Sequence, residues 1–573
     1  MRTGVQCLMD GLVKEGVTTL FGLPGGAVLD IFNGLYTTPI EFVLTRHEQG
    51  ATHMADGYAR ATGRVGCCLV TSGPGATNAV TGLATANMDS SPIVCVSGQV
   101  PSSMIGNDAF QEVDITGITR PVTKHNMLVR NVDDLPRRLA EAFYIARTGK
   151  PGPVLVDIPK DVQRATTEAQ TPDSVTIRGY NPTLEGHARQ IAKLAEAINS
   201  SKRPLLYVGG GVISSGAAEE LLVLVRKAGL PVTTTLLGLG AYPETDPLAL
   251  RMLGMHGSVT ANYATNECDL LVSIGARFDD RVTGKISEFA PKAKIAHIDI
   301  DPSAISKSVQ VDIPVVGDAK LVLRELAKLV EPRDRDAWLR QLAEWKAQYP
   351  FSYDRSTSKL LPQHVIERIY EITKGNAVIV TEVGQHQMWA AHYYPYTKPR
   401  QFISSGGLGT MGFGLPAAIG AQAGRRGELV VDLSGDGSAQ MNFQELVVAV
   451  EHRLPIKVII LNNTCLGMVR QWQQMFYDGV YSATRLTQNG RGQNEHIEDR
   501  KAQAYLPDFV KLAEAHGALG LRVTEKKAVT GALDKAFAAD GPAVVEFMVD
   551  PYENVYPMVP AGKSLTEMIH SMA

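Results

Sequence analysis

Short apolar runs alternate with amphipathic stretches along almost the whole chain. Runs of about three to six apolar residues predict buried strands, whereas apolar residues spaced three and four apart predict helices. Val5, Leu8, Met9, Leu12 and Val13 form a helical stripe of this kind. The predicted strands lie at 42–44, 65–70, 93–97, 154–156, 205–208, 270–274, 295–300, 428–433 and 456–461. Strands that alternate with helices in this way predict parallel sheets.

Polar segments interrupted by proline divide this pattern into three blocks. The first interruption carries Pro172 and Pro182, and the second carries Pro332 and Pro350. The domains predicted from these breaks are 1–165, 186–335 and 361–545, followed by a tail at 546–573. We expect the fold class to be α/β, with three doubly wound parallel-sheet domains. A chain of 573 residues is long enough for each domain to bury its own core.

Charge and composition indicate no nucleic-acid or membrane partner. Lys and Arg number 56 and Asp and Glu 59, so the formal charge is 56 − 59 = −3, and no basic surface is expected. The sequence contains no run of about 20 apolar residues, so no transmembrane span is expected. The first predicted helix begins almost at residue 1, so we expect no signal or transit peptide. The six cysteines form no CxxC pair, which favours reduced core cysteines and a cytoplasmic location.

One strand–turn–helix–strand unit carries the most informative polar residues. The strand at 428–433 leads into a Gly-Asp-Gly turn centred on Asp436, a helix is predicted at 441–451, and the strand at 456–461 leads to Asn463. The carboxyl ends of such parallel strands meet at one edge of the sheet, where ligands bind. Carboxylate and amide oxygens suit Mg2+, which takes further ligands from phosphate, and the glycines let a diphosphate approach. This pattern resembles the thiamine diphosphate signature.

Glu48 stands at another predicted strand end and opens a predicted helix. A glutamate in the first turn of a helix is favoured by the helix dipole whatever its function, so a purely structural role is one interpretation. In a thiamine diphosphate enzyme Glu48 would have a definite task. A carboxyl group bonded to the pyrimidine ring makes the exocyclic amine basic, and that amine then removes the C2 proton of the thiazolium.

Eight motifs extend the resemblance over nearly the whole chain. They are GLPGG at 22–26, RHEQG at 46–50, TSGPGATN at 71–78, DAFQE at 108–112, GARFDDR at 275–281, VGQHQM at 383–388, GTMGF at 409–413 and LGMVRQW at 466–472. Together they resemble the catalytic subunit of the acetohydroxyacid synthase (acetolactate synthase) family. The resemblance implies an N-terminal pyrimidine-binding domain with the catalytic glutamate, a central FAD-binding domain, and a C-terminal domain for diphosphate and Mg2+.

The resemblance also implies roles for individual residues at the thiamine diphosphate site. Glu48 would activate the cofactor, and Gln111 and Lys160 would line the approach to it. Met411 would hold the cofactor bent, although methionine is also a common core filler. The further cofactor contacts are Gln385, His386, Gly409, Gly435, Gly437, Ser438, Gly467 and Met468. The implied Mg2+ ligands are Asp436, Asn463 and the backbone carbonyl of Cys465.

The same resemblance places FAD in the central domain and the second substrate beside it. The implied FAD positions are Gly209, Gly210, Gly211, Leu253, Gly254, Met255, His256, Gly275, Arg277, Asp279, Asp299 and Asp318. The triplet 209–211 does not satisfy GxGxxG, so a degenerate nucleotide fold that binds nothing is an alternative. Arg281 would bind a 2-oxoacid carboxylate, and Trp472 would favour the ethyl group of 2-oxobutyrate over the methyl group of pyruvate. The alternatives are a structural ion pair of Arg281 with Asp279 or Asp280, and a packed interface tryptophan.

The implied activity is that of an acetohydroxyacid synthase. Pyruvate would be decarboxylated and its hydroxyethyl unit ligated to pyruvate or 2-oxobutyrate, giving 2-acetolactate or 2-aceto-2-hydroxybutyrate in branched-chain amino acid biosynthesis. FAD would be structural, and the family's sites between chains imply a homodimer or homotetramer, with a probable small regulatory subunit. Two alternatives are a flavin-dependent pyruvate oxidase, disfavoured by Arg281 and Trp472, and a non-catalytic cofactor-binding homologue, disfavoured by intact Glu48, Asp436 and Asn463.

Two features depart from the family pattern. Lys150 stands where the family usually carries arginine before Pro-Gly-Pro, so the bidentate geometry of arginine is lost there. A polar stretch at 482–505 is inserted after the Trp472 motif, and its composition predicts a mobile loop.

Overall fold

Three six-stranded sheets flanked by helices, and a short antiparallel pair of Arg2–Thr3 with Thr166–Thr167, form the described part of the protein. The structure is a computed structural model that describes residues 1–486 and 506–571. The chain divides into two compact units. The first unit comprises Met1–Asn181, Val378–His386 and Ile403–Pro551, and the second comprises Pro182–Ala377, Gln387–Phe402 and Tyr552–Ala573. The predicted α/β fold class with three doubly wound sheets is confirmed.

The N-terminal sheet of the first unit is wholly parallel. In spatial order its strands are Glu41–Leu44, Thr19–Gly22, Gly66–Val70, Ile93–Gln99, Val154–Pro159 and His125–Leu128. The helices around it are Gly4–Lys14, Leu29–Leu35, Glu48–Thr62, Pro74–Asn78, Val80–Met88, Ile115–Thr119, Leu135–Arg147 and Lys160–Arg164. Its central strands are buried along their whole length, as continuous apolar runs in a parallel sheet require.

The C-terminal sheet lies in the same unit. In spatial order its strands are Phe402–Ser404, Val378–Thr381, Val430–Gly435, Lys457–Asn462, Ala543–Met548 and Leu519–Val523. The pairs from Val378–Thr381 onward are parallel. The helices are Gln385–Tyr393, Gly414–Gly424, Asp436–Ala439, Leu446–Glu451, Gly467–Phe476, Phe509–Ala515 and Val529–Phe537. This topology brings several strand ends that carry polar motifs to one edge of the sheet.

The prediction of a single helix at 441–451 is wrong. A 3-10 turn at Phe443–Glu445 and a helix at Leu446–Glu451 replace it. Asn442 has φ −135°, outside the helical range, and its Nδ2 donates a 2.6 Å hydrogen bond to the carbonyl of Gly412. Asparagine side chains compete in this way with regular helix, and periodicity along the sequence cannot reveal a partner so far away.

Helices Glu48–Thr62 and Gly414–Gly424 pack with their backbones nearly in contact. A Cβ on Gly57 would lie 2.6 Å from Cα of Ala417, and a Cβ on Gly420 would overlap the backbone of Met54. Only glycine permits this approach. The close packing joins the helix that carries Glu48 to the segment that follows Met411, within the first unit.

The second unit contains the third sheet, which is also parallel. In spatial order its strands are Ala249–Met252, Val232–Thr234, Pro204–Val208, Leu270–Ile274, Lys294–Asp299 and Ile313–Val316. Its helices are Ala188–Ser200, Gly210–Ser214, Ala218–Ala228, Val259–Glu267, Asp280–Thr283, Ala319–Leu329, Asp336–Gln348 and Pro362–Thr373. The second predicted interruption, which carries Pro332 and Pro350, contains the helix Asp336–Gln348. Buried Trp338 and Leu342 anchor this helix.

All six cysteines are buried and free of disulfides, in agreement with reduced core residues. Within residues 1–486 and 506–571, no helix combines the length and the apolar character that crossing a membrane requires.

Candidate active site

Glu48 opens the helix Glu48–Thr62, just beyond the carboxyl end of strand Glu41–Leu44. Its side chain is buried, and Oε2 accepts a 2.9 Å hydrogen bond from Nδ2 of Asn78. A Cβ on Gly75 would lie 3.1 Å from Oε1 of Glu48, so glycine there leaves room for the carboxylate. This geometry orients a buried carboxyl group while one of its oxygens faces a glycine turn.

Gln111 and Lys160 lie at the same edge of the N-terminal sheet as Glu48. A Cβ on Gly73 would lie 2.7 Å from the carbonyl oxygen of Gln111, so the Gln111 loop covers the turn beside Glu48. Gln111 itself has φ +59°. The Nζ of Lys160 donates a 3.0 Å hydrogen bond to the carbonyl of Gly26. The three predicted catalytic or approach residues therefore occupy one end of one sheet.

Asp436, Asn463 and Gln385 converge on the carboxyl edge of the C-terminal sheet. Each follows a strand of that sheet, and Nδ2 of Asn463 donates a 3.1 Å hydrogen bond to Oε1 of Gln385. A Cβ on Gly467 would lie 2.5 Å from Nδ2 of Asn463 and would overlap the amide of Gln385. Glycine at 467 is therefore required by the polar groups around it.

Asp436 has the properties expected of a cation ligand. Its Oδ2 is buried and has no hydrogen-bond partner in the part of the chain that the structure describes. Burial raises the pKa of Asp436 to about 7, and nearby backbone N–H groups oppose that shift only partly. No group of three or more His, Cys, Asp or Glu side chains in the described residues could hold a metal. A cation here would therefore use one carboxylate, an amide oxygen and phosphate oxygens, which fits Mg2+.

The backbone turns sharply before Cys465, the third predicted metal ligand. Thr464 has φ +61°, in the left-handed region. The N–H of Leu466 donates a 2.8 Å hydrogen bond to the carbonyl of Thr484, which fixes the chain on the other side. The thiol of Cys465 is buried, and burial raises its pKa, so a role for its backbone carbonyl stays the prediction. Of the predicted mobile stretch, 487–505 lies outside the described residues.

His386 supplies an imidazole for an anionic ligand. It is buried, and burial lowers its pKa to about 3, so the ring is neutral and one nitrogen carries hydrogen. Its Nε2 has no hydrogen-bond partner among the described residues. A Cβ on Gly435 would lie 2.8 Å from Nδ1 of His386, and the N–H of Gly435 donates a 3.3 Å hydrogen bond to Oγ of Ser438. This set of polar groups around a glycine turn fits a phosphate oxygen.

Met411 stands over the turn that carries Asp436. A Cβ on Gly437 would lie 3.9 Å from Cε of Met411 and 2.6 Å from Cδ2 of Leu466. Gly409, two residues earlier, has φ +69°, a conformation that favours glycine. The structure thus brings Met411 to the glycine turn, and its role beneath the cofactor stays a prediction.

The predicted FAD residues gather at the carboxyl edge of the sheet in the second unit. Residues 209–211 follow Pro204–Val208, 253–256 follow Ala249–Met252, 275–279 follow Leu270–Ile274, Asp299 ends Lys294–Asp299, and Asp318 follows Ile313–Val316. The N–H of Gly211 donates a 2.9 Å hydrogen bond to the carbonyl of Gly275, and the N–H of Met255 donates a 2.7 Å bond to the carbonyl of Arg281. These loops meet at the crevice where open α/β sheets bind ligands.

Two buried polar atoms at this crevice fit a ligand. In the described part of the chain, Oγ1 of Thr234 and Nδ1 of His256 are buried without a hydrogen-bond partner. By contrast, the carboxylate of Asp318 accepts hydrogen bonds from the N–H groups of Lys320 and Leu321, so it also caps a helix. Gly209 and Gly211 pack against residues 275–276, so their small size has a structural reason as well.

Arg281 and Trp472 belong to different units. The Nη1 of Arg281 lies 3.9 Å from Oδ2 of Asp280, and both side chains are exposed. An exposed pair at that distance contributes little to stability, so the structural ion pair is a weak explanation of Arg281. Trp472 is half-buried, and Met468 lies on the same helix, Gly467–Phe476.

Glu445 is a buried residue that the motif analysis does not single out. Its carboxylate accepts the backbone N–H of Arg46, at 3.1 Å from each oxygen. A Cβ on Gly50 would lie 2.5 Å from Oε1 of Glu445. Part of the RHEQG motif is therefore explained by Glu445, which no local signal could reveal because it lies 399 positions from Arg46.

Comparisons with known proteins agree with this arrangement. Models of thiamine pyrophosphate enzymes match three segments: the N-terminal TPP binding domain at residues 2–118, the central domain at 191–326, and the C-terminal TPP binding domain at 382–547. The acetolactate synthase large subunit of Haemophilus influenzae is 48% identical over 579 residues, covering 99% of this chain and 98% of the relative. The isozyme 3 large subunit of Escherichia coli is 47% identical, with 99% and 98% covered.

A more distant organism gives the same result. The probable acetolactate synthase large subunit of Methanocaldococcus jannaschii is 46% identical, covering 99% of this chain and 95% of the relative. Similarity of this extent includes both sheet edges that carry Glu48 and Asp436. The chain therefore belongs to the thiamine pyrophosphate enzymes and, within them, to the acetolactate synthase large subunits.

Proposed function

We propose that this chain is a thiamine diphosphate-dependent acetohydroxyacid synthase. It decarboxylates pyruvate and transfers the remaining two-carbon unit to a second 2-oxoacid. With pyruvate as acceptor the product is 2-acetolactate, and with 2-oxobutyrate it is 2-aceto-2-hydroxybutyrate. The single observation that carries the proposal is the pair of polar strand-end clusters, one around Glu48 and one around Asp436, in a chain of this family.

The proposed role of Glu48 is to hold a proton next to the pyrimidine ring. Thiamine diphosphate, when bound, would supply a nucleophilic C2 atom and a thiazolium ring that can take up the electron pair released in decarboxylation. The carboxyl of Glu48 is buried, and Asn78 fixes one of its oxygens. A carboxyl group in this setting can exchange a proton with a single ring nitrogen while water stays excluded.

Asp436 and the residues around it would hold Mg2+ and the diphosphate. Mg2+ would bind the carboxylate of Asp436, the side-chain oxygen of Asn463 and the backbone carbonyl of Cys465. His386 and Gln385 would donate hydrogen bonds to the diphosphate, with the glycine turn at its other side. The partnerless Oδ2 of Asp436 and Nε2 of His386 support this assignment, because buried polar atoms normally have partners.

The third sheet would hold FAD as a structural group. The crevice carries partnerless polar atoms on Thr234 and His256 and several strand-end loops, as a dinucleotide site requires. The reaction has no net redox change, so the flavin would stabilise the domain and need not transfer electrons. Arg281 would then bind the carboxylate of the second 2-oxoacid, and Trp472 would contact its alkyl group.

A homodimer or homotetramer is the proposed assembly, with Glu48 of one chain facing the diphosphate cluster of another. Large exposed apolar side chains support a covering partner: Phe110 precedes Gln111, Leu408 lies three residues before Met411, and Met441 lies against Gly412. Exposed apolar groups clustered near a site are typical of an interface. A small regulatory subunit and a cytoplasmic location complete the proposal.

The proposed function is tested by assaying the purified protein with pyruvate, thiamine diphosphate, Mg2+ and FAD. Acetolactate should form, persist without oxygen, and fall by at least about a hundredfold in Glu48→Gln. The oxygen-free arm separates this activity from that of a flavin-dependent oxidase. Acetate or acetaldehyde as the main product, or full activity of Glu48→Gln, would overturn the proposal.

A further inference from the structure

The loop that carries Met411, residues 405–413, is held at both ends by buried carboxylates. At its start, the carboxylate of Asp89 accepts the N–H groups of Gly406 and Gly407 at 3.0 and 2.7 Å. At its end, Oε2 of Glu382 accepts the N–H of Gly412 at 2.7 Å. The residue that follows Met411 is therefore bonded directly to Glu382.

The other carboxylate oxygen of Glu382 accepts hydrogen bonds from the helix that follows the loop. Its Oε1 accepts the N–H groups of Gly414 and Leu415 at 2.9 and 3.3 Å. The backbone N–H of Glu382 donates a 3.0 Å hydrogen bond to the carbonyl of Leu433, which extends the strand pairing to this residue. The carboxylate thus ties the sheet to the Met411 loop and to the first turn of helix Gly414–Gly424.

A second carboxyl group shares this buried space. A Cβ on Gly414 would lie 2.5 Å from Oδ1 of Asp432 and 2.8 Å from Cγ of Glu382. Asp432 is fully buried, and its Oδ2 accepts a 2.6 Å hydrogen bond from Oγ of Ser434. Its Oδ1 has no hydrogen-bond partner in the part of the chain that the structure describes. Two carboxyl groups this close in a buried site cannot both be charged without a large cost.

The pair therefore keeps one proton near neutral pH. Burial raises the pKa of Asp432 to about 7, and burial together with the charge of Asp432 raises the pKa of Glu382. Three backbone N–H donors face Glu382, whereas one hydroxyl faces Asp432. The N–H donors oppose the rise of the Glu382 pKa only in part, so the two buried carboxyl groups share one proton as a coupled pair.

We propose that Glu382, which shares its buried space with Asp432, is a positioning residue that fixes the Met411 loop and so the conformation in which thiamine diphosphate is held. This inference rests on the proposed function and goes beyond it, because the carboxylate of Glu382 bonds to the Met411 loop and the following helix, and only its backbone meets the ring of His386. Its effect is on the activation of C2, which depends on the distance between C2 and the pyrimidine amine, and not on the anchoring of the diphosphate.

The two carboxyl groups give a matched pair of variants. Glu382→Gln replaces one accepting oxygen by an NH2 group, so an N–H of the loop or of the helix then faces another donor. Asp432→Asn keeps an oxygen that can accept from Oγ of Ser434, and it removes no hydrogen bond to the Met411 loop. The structure therefore predicts damage from the first change and little from the second, although both remove one carboxyl group.

The experiment compares the wild type with both variants in the presence of Mg2+ and FAD. Three quantities are measured: the Kd of thiamine diphosphate by calorimetry, the rate of C2-hydrogen exchange of the bound cofactor in D2O, and kcat for acetolactate. In Glu382→Gln we expect the exchange rate and kcat to fall together by about tenfold or more, with Kd changed by less than about threefold. In Asp432→Asn all three should stay within about threefold of the wild type.

Several outcomes would overturn the inference. The first is an unchanged C2-hydrogen exchange rate in Glu382→Gln. The second is a fall of kcat that is matched by a rise in the Kd of thiamine diphosphate. The third is an equal fall of exchange rate and kcat in both variants. If Glu382→Gln does not fold, Asn442→Ala replaces it, because it removes the 2.6 Å bond to the carbonyl of Gly412. Unchanged exchange in that variant would also overturn the inference. A wild type that makes no acetolactate would instead overturn the proposed function.

Discussion

Asn78 donates a 2.9 Å hydrogen bond from its side-chain amide to Oε2 of Glu48. Glu48 opens the helix that follows strand Glu41–Leu44, and Asn78 ends the short helix that follows strand Gly66–Val70. Gly75 leaves space beside the other oxygen of Glu48. The bond holds the carboxyl group in one orientation. Asn78 is thus part of the active-site geometry, although the motif analysis records it only as the end of TSGPGATN.

Asn78→Ala should lower kcat for acetolactate by about tenfold, because Glu48 then loses the partner that orients it. Steady-state kinetics with pyruvate measure the effect. Thr77→Ala is the matched control, since its hydroxyl is exposed and bonds only locally to the carbonyl of Pro74. Equal kinetics for Asn78→Ala and the wild type would show that Glu48 needs no orienting bond.

Asp436→Asn should weaken activation by Mg2+. The carboxylate is the only charged protein group proposed as a ligand of the cation, so the Mg2+ concentration for half-maximal activity should rise by at least about tenfold. Excess chelator should remove wild-type activity, and added Mg2+ should restore it. Asp478→Asn, an exposed aspartate on the same sheet's connections, should leave the Mg2+ titration unchanged. A variant with wild-type Mg2+ dependence would assign the cation to other ligands.

Gly50→Ala should destabilise the first unit. The added Cβ would lie 2.5 Å from Oε1 and 2.7 Å from Cδ of the buried Glu445, and overpacking of this kind costs about 1–3 kcal/mol. The unfolding free energy measured by denaturant titration tests this expectation. Gly531→Ala is the control, because a Cβ there meets nothing within 4 Å and the residue lies in helix Val529–Phe537. That change should be neutral or stabilising by up to about 1 kcal/mol.

Glu445 should make stability fall as pH rises from acidic to neutral. Burial raises its pKa to about 7, above the ordinary glutamate pKa of about 4.3. The folded protein therefore keeps a proton that the unfolded chain has already released, and this contribution is lost as pH rises through about 7. Glu445→Gln removes the titration.

The measurement for Glu445 is the thermal midpoint at about pH 5 and about pH 8. The thermal midpoint of Glu445→Gln should increase relative to that of the wild type as pH rises. Glu451→Gln is the control, since Glu451 is half exposed and pairs with the guanidinium of Arg46 at the surface. A constant difference between Glu445→Gln and the wild type would mean that Glu445 is charged throughout this range.

Trp472→Ala should lower the preference for 2-oxobutyrate over pyruvate as acceptor. One methylene in an apolar contact is worth roughly 1–3 kcal/mol, so the ratio of 2-aceto-2-hydroxybutyrate to acetolactate should fall by about tenfold or more. Competition between the two acceptors at equal concentration measures the ratio. Tyr477→Ala, at the exposed C-cap of the same helix, should leave it unchanged. An unaltered ratio in Trp472→Ala would place the acceptor's alkyl group elsewhere.

Local pattern predicted nine of the eighteen strands in the three large sheets, including the strands that end before Glu48, Asp436 and Asn463. Strand Leu270–Ile274 has the bounds that its apolar run predicts, and the other predicted strands differ by one to three residues at their ends. Parallel topology then places Glu48 and Asp436 at carboxyl edges, which is a consequence of strand order alone. The helix predicted at 441–451 is wrong because Asn442 bonds to Gly412, a partner outside any local window.

The sequence by itself determined the fold class, the family and the strand ends that carry its chemistry, since alternating apolar runs and contiguous motifs are properties of neighbouring residues. Tertiary structure alone decided which buried groups support that chemistry. Glu445 meets Arg46, and Glu382 meets Gly412, because packed helices and sheet order bring distant segments together. A buried carboxylate needs its partners in three dimensions, and its desolvation, which sets its pKa, is a property of that packing.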